Sequence, residues 1–196
     1  MRVLKAQSLR LCVAAWRGLF YLGGDNMTFE IDSPKYGKHI VEIDDEDAER
    51  ALKYKWCVYY RYRGGQTVLA NVRTQIRRKD GTLTSLYLHQ LIMPGYDMID
   101  HIDNNKLNNK KSNLRPCTAC ENMQNRKAYK NNKVGFKGVS QYAPTAKNFR
   151  ACINANGQRI YLGSFPTPEE AALAYNEAAK NLHKDFAQFN TIEAAK

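Results

Sequence analysis

Four polar residues near the middle of this 196-residue chain have the types and the spacing that a phosphodiester-cutting metal site requires: Asp100, His101, Asn113 and Asn122. His101 can accept a proton from a water molecule, because an unperturbed imidazole has a pKa near neutral pH. Asp100 and Asn122 carry hard oxygen atoms that suit a divalent cation, which can stabilise charge on a phosphate and on its leaving oxygen. Asn113 lies between them, where its amide can tie down the intervening loop. The set predicts a one-metal hydrolytic site.

Short elements are expected to position these side chains. Met98-Ile99 is predicted to be a strand that ends at Asp100-His101. The Asn-rich segment 104–110 predicts turns, because Asn tolerates left-handed backbone angles and bonds to its own main chain. The alternative interpretation is a loop that merely turns, with an ordinary surface histidine. The spacing of the whole set favours the metal site over that alternative.

A helix is predicted to begin just after this loop. Thr118, followed three residues later by Glu121, matches a capping box. Asn122 therefore falls in the first turn of that helix, on a rigid element from which we expect it to face the strand end. Cys117 and Cys120 also match a CxxC pattern, but no second pair and no spaced histidines accompany them. Buried thiols that flank a helix cap are therefore a better interpretation than a zinc knuckle.

The residues around the four polar side chains resemble the HNH homing endonucleases of phages and mobile introns. The resemblance covers roughly Leu86 to Arg126 and rests on the runs Leu88-His89-Gln90-Leu91-Ile92, Asp100-His101-Ile102-Asp103, Asn108-Asn109, Ser112-Asn113-Leu114-Arg115 and Glu121-Asn122-Met123-Gln124-Asn125. It implies a ββα-metal finger in which Asp100 and Asn122 hold one Mg2+ or Mn2+ ion. It also implies that His101 is the general base and that Asn113 is structural. The family name suggests a third histidine, and this chain has Asn122 at that position.

The charge of the chain predicts a polyanionic partner. The net charge is +11 and the sequence pI is about 9.4. Residues 100–132 carry seven Lys or Arg against three acids, a balance of +4, and residues 133–196 carry eight against five, a balance of +3. A membrane surface also attracts such charge, but no strongly amphipathic basic helix is evident in these segments.

Five scattered cysteines indicate a reducing compartment rather than a disulfide framework. We therefore expect a cytoplasmic protein of a microbial or phage-infected cell that is not secreted. Residues 1–26 are predicted to be a loosely structured extension that is read from an upstream start codon, because the apolar run Leu11–Trp16 is far too short for a membrane span. The same run makes a poor signal peptide.

Residues 27–94 are predicted to form a small α+β region. The acids Asp44-Asp45-Glu46-Asp47 favour the start of a short helix, since they lie at its positive end. Two hairpins are expected around Gly64-Gly65 and Asp80-Gly81, and the strands of the second are expected over 72–78 and 82–89. The polar strand face of Arg73, Gln75 and Arg77 is either solvated or follows a DNA backbone. Three further histidines are predicted to be packing or surface residues, and these are His39, His89 and His183.

A third module follows a basic linker. The Asn156-Gly157 turn predicts a hairpin of 149–155 with 158–163, because Asn-Gly is the strongest two-residue turn signal. One face of this hairpin is expected to be buried and the other exposed. The buried set is Ala151, Ile153, Ile160 and Leu162, and the exposed set is Arg150, Cys152, Asn154, Arg159 and Tyr161. A helix is predicted to begin at Thr167-Pro168, with the buried stripe Ala171, Ala172, Tyr175, Ala178, Ala179 and Leu182.

The segment from Gly135 to Asn190 resembles the APETALA/ethylene-response-factor DNA-binding domain. The matching runs are Lys137-Gly138-Val139, Arg159 to Phe165, Glu169 to Asn176 and Phe189-Asn190. The resemblance implies that a three-stranded sheet enters the major groove. The implied DNA-binding residues are Lys137, Ser140, Tyr142, Arg150, Asn154, Arg159 and Tyr161, joined by Lys127 and Lys130 of the linker. The family usually has arginines where Ser140, Tyr142 and Asn154 stand, so the sequence that is read must differ.

These observations together predict an α+β protein that acts as a sequence-directed DNA endonuclease, of the homing type. Its expected organisation is an extension (1–26), an α+β region (27–94), the nuclease finger with its basic linker (95–132) and an APETALA-like domain with a three-stranded antiparallel sheet on one helix (133–196). We expect it to work on double-stranded DNA as a monomer. The alternative is a non-cutting transcription regulator with a vestigial finger. An RNA-directed nuclease is disfavoured, since a sheet fits the B-form major groove better than A-form RNA.

Overall fold

The computed structural model describes residues 20–23, 26–63, 66–128, 132–141 and 147–192. Its antiparallel sheets and short helices confirm the predicted α+β class. The chain divides into two compact units, Met1–Pro116 and Cys117–Lys196. That boundary falls inside the segment 95–132, and the four-part organisation expected from the sequence stays a prediction.

The first sheet of the first unit contains the strands β1 (Phe20–Gly23), β2 (Asn26–Ser33) and β3 (Gly37–Asp44), in that order. Alternate residues of β2 and β3 are buried, as a sheet with one solvated face requires. Because β1 pairs with β2 in register, the end of the predicted extension is part of a sheet rather than loosely structured. The rest of the extension, 1–19 and 24–25, lies outside the described residues.

The acidic run after β3 forms a short helical segment, as predicted. One 3-10 turn (Asp45–Asp47) leads into α1 (Ala48–Ala51). Trp56 then folds back, and its Nε1 donates a hydrogen bond of 2.8 Å to the carbonyl oxygen of Ala51. This bond satisfies one of the carbonyls that a helix end leaves without an intrahelical donor.

The second sheet contains both predicted hairpins. Its strands are β4 (Cys57–Arg63), β5 (Gln66–Arg77) and β6 (Leu83–Tyr87), in that order. The Gly64-Gly65 turn lies outside the described residues, whereas the second turn places Gly81 at φ +83°. The chain then forms α2 (Leu88–Ile92), so the expected strand ends two residues before His89.

A third, two-stranded sheet follows in the first unit. Its strands are β7 (Ile99–His101) and β8 (Leu114–Pro116), and one 3-10 turn (Lys111–Asn113) precedes β8. The short strand expected before the Asp-His pair is thus confirmed. Both strands contribute to the core of this unit, which contains Met27, Phe29, Ile31, Val41, Ile43, Ala51, Trp56, Val72, Leu88, Ile92, Ile99 and Leu114.

The second unit confirms the predicted three-stranded antiparallel sheet on one helix. Its elements are α3 (Ala119–Gln124), β9 (Val139–Gln141), β10 (Phe149–Ala155), β11 (Gln158–Phe165) and α4 (Pro168–His183). The strand order is β11-β10-β9, and α4 packs on the sheet through small residues such as Ala171 and Ala172. Close packing explains Gly138, which has φ +75° and where an added Cβ would collide with the ring of Tyr175.

Two details of the predicted buried faces are wrong. Leu182 is 42% exposed, and His183 is buried in its place because it continues the i, i+4 stripe from Tyr175 and Ala179. Ile160 has the inward register expected of it but stays 38% exposed. The described part of the chain contains no helix long and apolar enough to cross a membrane.

Candidate active site and nucleic-acid interface

The predicted catalytic pair lies on β7, where β7 and β8 hold the two ends of one loop, residues 102–113. Asp100 is paired with Arg115, and His101 with Leu114. Both side chains of the pair are about 1% exposed. The loop between the strands belongs entirely to the first unit and is built from side-chain to main-chain hydrogen bonds.

Asn113 bonds to both sides of this loop. Its Oδ1 accepts from the amide of Asp103 at 3.1 Å, and its Nδ2 donates to Asp103 Oδ1 at 2.9 Å and to the carbonyl of Asn108 at 2.8 Å. Burial opposes ionisation of Asp103, but hydrogen bonds from Asn105, Asn108 and Asn113 hold its pKa below the ordinary value. These contacts are of the kind that the structural role predicted for Asn113 requires.

The loop also attaches to the edge of β3, a contact that the sequence did not predict. The amide of Glu42 donates to the carbonyl of Leu107 at 2.9 Å, and the carbonyl of Glu42 accepts from the amide of Asn109 at 2.8 Å. Lys110 forms an ion pair with the Glu42 carboxylate at 2.9 Å. The amide of Lys111 donates to Asp44 Oδ2 at 2.8 Å. The loop is therefore held by a strand about sixty positions earlier in the chain.

His101 has polar groups on both ring nitrogens. Its Nε2 lies 3.2 Å from Asn109 Oδ1, and its Nδ1 lies 3.3 Å from Lys106 Nζ. The Asn109 amide orientation is consistent, because Nδ2 donates to the carbonyl of Lys106 at 3.1 Å. An ammonium can only donate and Oδ1 can only accept, so Nε2 carries the proton and Nδ1 is the acceptor. The geometry thus selects the tautomer in which Nδ1 can act as a base.

Burial changes the acid–base character expected of His101. Desolvation, followed by the charge of Lys106 and by His89, lowers the pKa of His101 to about 3. The ring of His89 lies edge-on to it, with centroids 5.4 Å apart, and burial also lowers the pKa of His89 to about 4. The near-neutral pKa of an unperturbed imidazole therefore does not apply to His101. Both imidazoles are neutral at pH 7, which is the form that accepts a proton.

Asp100 forms a buried ion pair with Arg115. The guanidinium donates from Nε at 3.2 Å and from Nη2 at 2.9 Å, both to Asp100 Oδ2. Sequence reasoning placed Arg115 within the family-like run but gave it no role. A carboxylate has about four acceptor positions, so two bonds to one oxygen do not exhaust it. Its hard oxygens fit the chemistry of Mg2+ or Mn2+.

Asn122 lies on α3, in the second unit. The capping box predicted there is confirmed: the amide of Glu121 donates to Thr118 Oγ1 at 3.2 Å, and the amide of Thr118 donates to Glu121 Oε2 at 2.7 Å. The thiols beside this cap are not buried as expected, since Cys120 is exposed and Cys117 is half-buried. Within the described residues, no group of three or more His, Cys, Asp and Glu side chains could hold a metal ion. An asparagine is outside that set, so the predicted pair of Asp100 and Asn122 stays a prediction.

The outer face of the second unit's sheet has the predicted register. Asn154 pairs with Arg159 and Cys152 with Tyr161, so these side chains share the exposed face. Tyr161 is 62% exposed. A β-bulge interrupts the register between Ala151 and Cys152, a feature that the sequence did not predict.

The other predicted DNA-binding residues have mixed environments. Arg150 Nε donates to Ser140 Oγ at 2.8 Å, which fixes the direction of the guanidinium. Lys137 is half-buried, its Nζ donates to the carbonyl of Gln124, and burial lowers its pKa to about 8. Lys127 is exposed. Tyr142 and Lys130 lie outside the described residues.

Comparison with known proteins identifies the family to which the chain belongs. The chain is 34% identical over 146 residues to an uncharacterised HNH endonuclease of Acanthamoeba polyphaga mimivirus, a match that covers 72% of this chain and 69% of that protein. The chain therefore belongs to the HNH endonuclease family. No family model matches it, and no solved structure matches it.

Two further relatives cover smaller parts of the chain. Protein 3.8 of Escherichia phage T7 is 37% identical over 98 residues, which is 50% of this chain and 78% of that protein. Dehydration-responsive element-binding protein 2A of Arabidopsis thaliana is 39% identical over 62 residues, which is 31% of this chain and 18% of that protein. The similarity to the Arabidopsis protein agrees in part with the resemblance of residues 135–190 to the APETALA/ethylene-response-factor domain.

Proposed function

We propose that this protein is a metal-dependent DNA endonuclease that hydrolyses phosphodiester bonds with His101 as its general base. The observation that carries the proposal is the tautomer of His101. Two independent neighbours leave Nδ1 as the acceptor nitrogen, in an imidazole that burial keeps neutral. A general base must be unprotonated and must present a lone pair to the attacking water. Membership of the HNH endonuclease family supports the same assignment.

In this proposal each residue of the site has one task. His101 Nδ1 takes a proton from the water that attacks the phosphorus atom. Asp100 and Asn122 would hold one Mg2+ or Mn2+ ion, which when bound supplies positive charge beside the phosphate and the leaving oxygen. Arg115 fixes the direction of the Asp100 carboxylate through its two bonds to Oδ2. Asn113 keeps the loop in one conformation.

We further propose that the enzyme is directed to a specific site in double-stranded DNA. Arg159, Asn154 and Tyr161 share the exposed face of the second unit's sheet. Arginine and asparagine are the side chains that read guanine and adenine edges in the major groove. The net charge of +11 favours binding to a polyanion. We propose a monomer that acts as a homing endonuclease in a phage or microbial genome.

Incubation of the full chain with supercoiled plasmid tests the proposal. Conversion to nicked or linear DNA is expected with Mg2+ or Mn2+ and should stop when the cation is chelated. His101→Ala should abolish conversion while gel-shift affinity for DNA is nearly unchanged. His39→Ala removes a histidine that bonds Tyr60 instead and should cut like the wild type.

The thermal unfolding midpoint of each variant must be measured beside its cutting rate, because His101 is fully buried. Cutting by a folded His101→Ala variant would remove this residue from the mechanism. Wild-type protein that binds DNA yet leaves every plasmid supercoiled would favour the non-cutting regulator instead.

A further inference from the structure

Lys106 places a positive charge directly on the nitrogen that the general base must use. Its Nζ lies 3.3 Å from His101 Nδ1, within hydrogen-bonding reach of the acceptor lone pair. A water molecule that is to be deprotonated must lie at about 2.6–3.2 Å from the same nitrogen. The ammonium therefore stands where the nucleophile has to be. His101 can act as a base only after Lys106 has moved away from Nδ1.

The positive charge of Lys106 is a second reason why this side chain must move away from Nδ1 before His101 can act as a base. When Nδ1 accepts a proton the imidazole becomes a cation, and a second cation beside it opposes that step. A phosphate brings negative charge to the immediate surroundings of the attacking water. The Lys106 side chain is flexible, and a rotation of it would bring the ammonium from His101 Nδ1 to an oxygen of a phosphate beside that water.

The backbone of Lys106 is fixed although its side chain is long and half-buried. Its carbonyl accepts from Asn109 Nδ2 at 3.1 Å, and the next residue, Leu107, is bonded through its carbonyl to the amide of Glu42. The two other lysines of the loop are engaged differently. Lys110 pairs with Glu42, and Lys111 pairs with Glu46 and Asp47. Lys106 alone among these three has its ammonium directed at the imidazole.

We propose that Lys106 is a catalytic residue that binds a non-bridging oxygen of the scissile phosphate. This inference rests on the proposed nuclease function of the same site. In the reaction the water oxygen forms a bond to phosphorus, its proton passes to His101 Nδ1, and the bond from phosphorus to the leaving oxygen breaks. Solvent supplies the proton that the leaving oxygen takes up. Lys106 gives no atom and stabilises the charge that develops on the non-bridging oxygen.

Before DNA binds, the Lys106 ammonium donates to His101 Nδ1 and keeps the imidazole in the tautomer with the proton on Nε2. When the phosphate arrives, Lys106 moves to the phosphate oxygen and Nδ1 becomes accessible to water. The Lys106 side chain thus keeps His101 in the required tautomer when substrate is absent, and it stabilises the transition state when substrate is bound.

Single-turnover cleavage of an oligonucleotide that carries the mapped cut site tests this role. Lys106→Met should lower the cleavage rate by about 10²–10³-fold, as the loss of one donor to a developing oxyanion does. Its Kd for DNA should change by less than about tenfold, because one phosphate contact contributes little to total affinity. Lys106→Arg keeps the charge and should retain much more activity. Lys53→Met, which removes an exposed lysine paired with Glu49, should cut like the wild type.

Sulfur substitution at the scissile phosphate separates a catalytic contact from a structural one. One of the two phosphorothioate diastereomers should slow the wild type more than it slows Lys106→Met, because the variant has already lost the contact to that oxygen. Equal slowing of both proteins by both diastereomers would overturn the proposal. So would a folded Lys106→Met variant that cuts as fast as, or faster than, the wild type while His101→Ala is inactive. If His101→Ala cuts normally, the proposed function itself has failed.

Discussion

Removal of the Arg115 guanidinium should destabilise the protein far more than removal of a cation from an exposed ion pair of equal length. The Asp100 side chain is 1% exposed and its Oδ2 lies 2.9 Å from Arg115 Nη2. Arg115→Met leaves a buried carboxylate without that guanidinium, and breaking a buried pair costs about 3–5 kcal/mol of unfolding free energy. The Lys38–Glu30 pair has the same 2.9 Å separation, but the Lys38 side chain is 67% exposed. Lys38→Met should therefore cost only about 0–1 kcal/mol.

Urea unfolding of the full chain at neutral pH measures both losses, from the midpoint and the slope of each transition. The double variant Asp100→Asn, Arg115→Met should be more stable than Arg115→Met alone, because the buried negative charge that has lost the Arg115 guanidinium is then removed. Equal losses for Arg115→Met and Lys38→Met would refute this reasoning. They would mean that water reaches the Asp100 carboxylate as freely as it reaches a surface acid.

Two further predictions concern the second unit. Gly138→Ala should lower the unfolding free energy by about 3 kcal/mol, since a positive φ and a collision with Tyr175 act together. Gly157→Ala, at φ +76° with open space around the position, should cost only about 1 kcal/mol, and similar thermal midpoints for the two variants would contradict the packing argument. Arg159→Ala should weaken binding to the preferred site by about 1–3 kcal/mol and leave binding to random DNA almost unchanged. A uniform loss on every sequence, with the salt slope reduced by about one unit, would make Arg159 a phosphate contact.

Local signals account for the parts of the fold that the sequence predicted correctly. The Asn156-Gly157 turn fixes its hairpin and the pairing of Ala155 with Gln158, because two residues with positive φ admit only one short loop. The capping box of Thr118 and Glu121 acts over three residues in the same way. Each of these features depends on side chains that are close together in the sequence.

Features that depend on how strands pair and how elements pack were not predictable from the local sequence. The β-bulge beside Cys152 exists only as a mismatch between two paired strands. The helix α2 begins where a strand was expected, because the packing of Leu88 and Ile92 into the core outweighs their local preference. His183 replaces Leu182 inside the second unit because helix rotation, fixed by Tyr175, decides which face is buried.

The candidate site also combines features that local sequence indicates with features that only packing determines. Asp100, His101 and Asn113 were assigned to the site from their spacing, and the structure places the first two on β7 and the third at the end of the loop that follows. The pKa of His101 did not follow, because burial by residues of other segments determines it. The contacts of Asn109 and Lys106 were missed as well. Asn109 lay within one of the runs that carry the HNH resemblance but was given no role, and Lys106 lay within an asparagine-rich segment that turn formation already explained.

The attachment of loop 102–113 to β3 has a consequence for solubility. An edge strand with exposed amides and carbonyls is a template on which another chain can add a strand and start aggregation. Here the amide and the carbonyl of Glu42 are both bonded to the loop, at Leu107 and Asn109. The loop that holds Lys106 and Asn109 against the imidazole of His101 thus also covers part of the β3 edge. A substitution that loosens this loop is expected to promote self-association, because it would expose the amide and the carbonyl of Glu42 to another chain.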